Sequence, residues 1–109
     1  MIKGIKKVRL SDSDFEALKF CFNKHFLQGD RLWLFGSRAD LTKKGGDIDL
    51  YIETHASTVD EAIKRESAFL FEFEEMIGEQ KIDVVLNMLN NPYPLPIHEI
   101  AKTKGVRIV

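Results

Sequence analysis

The sequence predicts an α/β (α+β) protein in which a small mixed β-sheet carries helices packed on it. Three observations lead there. Residues 47–54 alternate strictly between apolar and polar, the period of a half-buried strand. Two stretches, opening at Ser13 and at Thr58, combine a capping-box pattern with apolar residues at helical spacing. The predicted order of elements is helix, strand, strand, helix, strand, helix, which gives a layered fold around one core. At 109 residues the chain suits a single domain, 1–109.

Residues 1–10 alternate weakly and are read as a short edge strand or a loose arm. Ser13-Asp14-Phe15-Glu16 opens the first helix. Phe15, Leu18, Phe22 and Phe26 carry it to about Leu27, and Gly29-Asp30 ends it. Arg31 to Phe35 is a short buried strand. In the next strand, Asp47 to Thr54, Ile48, Leu50 and Ile52 face one way, while Asp47, Asp49, Tyr51 and Glu53 face the other. Thr58-Val59-Asp60-Glu61 opens a second helix bearing Ala62, Ile63, Phe69, Leu70, Phe73 and Ile77, with Gly78 as its stop. Lys81 to Leu86 is a third strand. The stretch NNPYPLP, with its three prolines, is a connector rather than a central strand. Ile97 to Lys102 predicts a short helix stopped near Gly105, and Val106 to Val109 a last strand.

Composition excludes several classes of function. Net charge is −1, so there is no general signal for nucleic acid. One cysteine, Cys21, leaves no internal disulfide and no zinc framework, which fits a reducing compartment and a cytoplasmic location. His25, His55 and His98 lack metal-ligand spacing. No stretch approaches the length of a membrane span, and MIKGIKKVRL has no apolar signal core.

The chemistry lies in LWLFGSRADLTKKGGDIDLYIE, residues 32–53. Carboxylates in an apolar strand are costly unless something compensates them. Asp47 and Asp49 share a strand face at about 7 Å between Cα atoms. Asp83, in KIDVVL, lies opposite Ile82, Val84 and Leu86. If the two strands are neighbours, three carboxylates share one polar face. Three anions so close repel one another, and Mg²⁺, which prefers oxygen ligands, would offset that repulsion. A pair of such ions stabilises the attacking and leaving oxygens of an in-line displacement at phosphorus. A lone D-x-D is equally what a solvated strand face carries. Gly36-Ser37 follows the first strand; glycine admits a phosphate close to the backbone and serine offers donors. The same dipeptide also makes an ordinary turn. Arg38, Lys43 and Lys44 add positive charge nearby.

Taken together, FGSRADLTKKGGDIDLYI followed by KIDVVL resembles the polymerase-β-type nucleotidyltransferase superfamily, and the chain length is similar to that of its minimal (MNT) members. The resemblance implies a nucleotidyltransferase, polymerase-β palm-like, fold. It implies that Gly36 and Ser37 hold the β- and γ-phosphates of a nucleoside triphosphate, with Arg38, Lys43 and Lys44 beside them. Asp47, Asp49 and Asp83 would be the metal ligands, two Mg²⁺ ions the cofactors and ATP the substrate. AMP would pass to a hydroxyl acceptor, Asp83 helping to deprotonate it. Minimal members resemble antitoxins paired with all-helical HEPN proteins, so a HEPN-type partner is implied. Two departures fall on the loop: nine residues separate Ser37 from Asp47 where many members have ten, and Asp40 stands where many have a basic residue.

Phe20, Phe71 and Tyr93 are candidate interface residues, with incidental exposure the plainer reading, and a homo-oligomer is equally open. Trp33 reads as core rather than a base-stacking platform, and Cys21 as a small core residue. Tyr51 either lines the nucleotide pocket or packs under a helix. Glu53 reads as a solvated strand end or a fourth polar neighbour of the acids. A binding-only antitoxin, or a transferase acting on a small molecule or an RNA end, are the competing functions.

Overall fold

Helix α1 (Asp12–His25) starts where Ser11 accepts a hydrogen bond from the Asp14 backbone N–H at 3.1 Å. The computed structural model describes residues 10–36, 47–91, 93 and 95–109. The cap is therefore Ser11 rather than Ser13, and the helix ends at His25, two residues short of the expected Leu27. Expectations for residues 1–9 lie outside the described residues; Leu10, which follows them, is buried.

Strands β1 (Arg31–Phe35), β2 (Ile48–Thr54), β3 (Ile82–Met88) and β4 (Val106–Arg107) form one sheet in the order β3-β2-β1-β4. β1 runs antiparallel to β2 and to β4, while β2 and β3 are parallel. The sheet is mixed, as expected. A parallel pair requires a crossover, and helix α2 (Val59–Ile77) supplies it. Thr58 caps α2 through the Glu61 N–H at 3.1 Å, and Glu61 returns a bond to the Ser57 N–H, one residue earlier than a capping box requires. Gly78, at φ 90°, closes the helix. β3 runs two residues past the expected Leu86. Helix α3 (Pro96–Lys104) is capped by Gly105, and β4 is shorter than the predicted 106–109.

The alternation in β2 decides the layering. Ile48, Leu50 and Ile52 join Leu18, Cys21, Phe22, Phe69 and Phe73 in the main core, under α1 and α2. Phe22 meets Phe69 edge-on at 6.0 Å and stacks on Phe26 at 4.8 Å. Each buried Phe contributes about 1.5–3 kcal/mol. On the other face, Trp33 and Tyr51 pack against Ala101 of α3. Ile63, one of the apolar residues of the α2 pattern, is exposed, as are Phe20, Phe71 and Tyr93. Cys21 is buried against Met76, and burial pushes its thiol up to about 11, which fits a packing role rather than a nucleophile.

A buried carboxylate pins the start of β1. Asp30 accepts from the Leu27 and His55 backbone N–H groups at 2.9 and 2.8 Å and from Thr54 Oγ1 at 2.7 Å, and pairs with His55 Nδ1 at 2.9 Å. The entry to β1 is thereby fastened to the exit of β2.

Candidate functional site

In the β2–β3 register Asp49 is the Cα partner of Asp83. Partners in a parallel pair point to the same side, so the two carboxylates stand on one face of the sheet. Asp47, two residues before Asp49, lies near enough for its charge to act on Asp49. Burial, and then the charges of Asp83 and Asp47, push the Asp49 carboxyl above its ordinary range.

Lys81 answers these anions. Its Nζ lies 3.4 Å from Asp47 Oδ2. The hydrogen bond and charge of Asp47, followed by the charges of Asp83 and Asp49, hold the ammonium above its usual range. Lys81 thus senses all three acids, which is the role that a divalent cation would take more strongly. Both partners of the Lys81–Asp47 pair are well exposed, so solvent screens it and it contributes little to stability. The three acids gather at one end of the sheet, but they do not close round a point. Among the described residues, no three His, Cys, Asp or Glu side chains form a ready metal-holding group.

The glycine after β1 borders this cluster. Phe35 pairs with Asp49, and Gly36 follows at φ 73°. A Cβ on Gly36 would overlap Asp49 Oδ2, so only glycine brings its backbone this close to the carboxylate. The carboxylates are hard-oxygen donors of the kind a divalent cation prefers, and Gly36 sets the end of β1 directly against one of them. Ser37, Arg38, Lys43 and Lys44, expected as phosphate contacts, lie outside the described residues.

Compared with known proteins, the chain matches no family model and no curated relative.

α3 covers the far end of the acidic face. Tyr51 is wholly buried there, which answers the open question about it: it packs under a helix. Its hydroxyl donates to Glu53 Oε2 at 2.9 Å and accepts from Asn87 Nδ2 at 3.0 Å. Burial pushes that hydroxyl up to about 12. Glu53 is 4% exposed, not the solvated strand end expected. Lys102 of α3 meets it at 3.2 Å and Arg31 at 3.8 Å. Trp33 is buried, as expected of a core residue, and Lys102 and Arg107 lie over its ring at 5.5 and 5.8 Å. This network fixes α3 beside the acids without joining them.

Sequence reasoning missed Lys81 and the Glu53–Lys102 pair. Lys81 had a local signal, since it stands two residues before Asp83, the spacing that puts side chains on one face of an extended chain. Lys102 had none, because only the fold brings α3 over β2. A cleft of about 550 Å³ lies elsewhere, between α1 and α2, lined by residues such as Lys24, Lys64 and Arg65. Its charges are largely paired, Arg65 with Glu61 and Lys24 with Glu72, so the acidic face remains the better candidate. No described helix is long and apolar enough to cross a membrane.

Proposed function

We propose that the chain is a Mg²⁺-dependent nucleotidyltransferase of the polymerase-β type, moving AMP from ATP to a hydroxyl, with a HEPN-type partner protein as the leading acceptor. One observation carries the reading: Asp49 and Asp83 are in register on parallel strands, with Gly36 against Asp49. A surface strand has no need of side-by-side anions, and their repulsion is a cost unless a ligand uses it.

In this reading Asp47, Asp49 and Asp83 hold the ions. Bound Mg²⁺ supplies charge neutralisation of the triphosphate and the developing transition state. Gly36 lets the phosphate chain approach the backbone. Asp83 accepts the proton of the acceptor hydroxyl. The acceptor oxygen bonds to the α-phosphorus as the bond to the bridging oxygen breaks, and pyrophosphate leaves. Most of the rate would come from positioning and electrostatics, which suits a small scaffold.

The Lys81–Asp47 pair favours a second reading, since an acid satisfied by an ammonium needs no metal. In that case the chain is an antitoxin that neutralises its partner by binding alone. Incubation with α-labelled ATP, Mg²⁺ and the co-purifying partner separates the two. Label on the partner that disappears with Asp49→Ala supports transfer. Neutralisation that survives Asp47→Ala with Asp49→Ala, without any label, supports binding alone.

A further inference from the structure

We infer that β3 is the pairing edge of a homodimer, two copies joining β3 to β3 antiparallel about Val85 into one continuous sheet. The inference rests on the strand edge and one flank of α2, and is independent of the proposed activity.

β3 is an edge strand, and among the described residues no strand pairs its outer side. Two hydrogen bonds bracket its ladder to β2: Ile48 N–H to Lys81 O at 3.1 Å, and Leu89 N–H to Thr54 O at 2.9 Å. In a parallel ladder alternate residues bond to the neighbour. The odd-numbered residues of β3 therefore face β2, and the N–H and C=O groups of Ile82, Val84, Leu86 and Met88 point outward. Protected edges carry lysine, proline or a bulge. β3 has none of these along its seven residues, and its single charge is Asp83.

The strand is complementary to itself. Centred on Val85, the antiparallel register sets Ile82 opposite Met88, Val84 opposite Leu86, and Asp83 opposite Asn87. Apolar residues meet apolar ones, and the carboxylate meets an amide. The outward-facing even residues fall opposite one another, as hydrogen bonding requires. A register centred on Asp83 would instead oppose two carboxylates.

α2 supplies the second half of the surface. Val59 and Ile63 are 61% and 53% exposed and lie on one helical stripe with Leu70 and Ile77. That stripe is on the flank away from Arg65, Glu72 and Met76, which meet α1. As the crossover helix of β2 and β3, α2 lies over that pair, so the stripe leans toward the open edge. The two-fold axis would lay it against its copy at roughly 10 Å between helices, a packing distance that follows from strand spacing.

The test uses the full chain. Sedimentation should give a dimer. Val85→Cys should form an intermolecular disulfide on mild oxidation, because the central pair is the narrow, non-hydrogen-bonded kind with Cα atoms about 4.5 Å apart. Phe71→Cys, exposed but off the stripe, should not. Val84→Pro removes an N–H that points away from β2, so the fold should survive while the dimer weakens roughly 100-fold. Slow amide exchange at Val84 and Leu86 should become fast at Leu86 in that variant. A wild-type monomer with those amides exchanging fast overturns the inference. So does a monomer with them protected, which would mean that another part of the chain, such as residues 1–9, covers the edge. Equal cross-linking of Val85→Cys and Phe71→Cys overturns it as well.

Discussion

Asp49 and Asp83 are direct register partners on adjacent parallel strands, two carboxylates placed side by side on one face of the sheet. The arrangement is costly without a cation. Replacing Asp49 with Asn keeps the shape and removes the repulsion. In chelator, Asp49→Asn should be more stable than the wild type by up to about 1 kcal/mol, or roughly 4–8 °C in melting temperature. Transfer activity should vanish. A thermal melt and a labelling assay on the same preparation check both halves.

Among the described residues, Lys81 is a cation on which all three acids act. Lys81→Met should change stability in chelator very little, since the pair is exposed. Added Mg²⁺ should then raise the melting temperature of the variant by more than that of the wild type. Equal Mg²⁺ responses would mean that Lys81 and the metal do not share ligands.

Gly36 combines a left-handed backbone with contact against Asp49. Gly36→Ala should cost about 1–2 kcal/mol from backbone strain. It should also weaken Mg·ATP binding beyond what the stability loss explains, because the added methyl displaces the Asp49 carboxylate. Urea titration measures the first effect and calorimetry the second.

Asp30 gives the fold an acid-sensitive clasp. Burial alone would raise its carboxyl, but the hydrogen bonds from Thr54, His55 and Leu27 outweigh this and hold it below the ordinary 3.8. A depressed carboxylate contributes stability that is present in full above its unfolded value and lost as pH falls through its folded value. Stability should therefore drop steeply below about pH 4. Asp30→Asn should show a shallower acid limb and be less stable at pH 7 by about 2 kcal/mol. Denaturation at a series of pH values reads both.

The sequence carried the sheet pattern well because strand alternation is local. Ile48, Leu50 and Ile52 declared the core face, and Asp47 and Asp49 the other. That Asp83 would share this face needed β2 and β3 to be neighbours, and the helix between them made that crossover a fair expectation. Glu53 was misjudged because its partners, Lys102 and Arg31, come from elements distant in sequence, and only folding brings them together. Asp30 looked like a helix stop for the same reason: its donors Thr54 and His55 lie at the end of β2. Ile63 belongs to the apolar pattern of α2 by its spacing, but it is exposed, outside the helical stripe that the core reaches. The convergence of the three acids on one point was also more than alternation could assure, since Lys81 already engages Asp47.

The central claim is that these acids exist to take a metal-bound triphosphate, and isothermal titration of ATP tests it most directly. The account predicts binding in the presence of Mg²⁺, none in chelator, and loss in Asp49→Ala and Asp83→Ala variants that remain folded. Absence of Mg²⁺-dependent uptake by the wild type, or uptake unchanged in both variants, would contradict it.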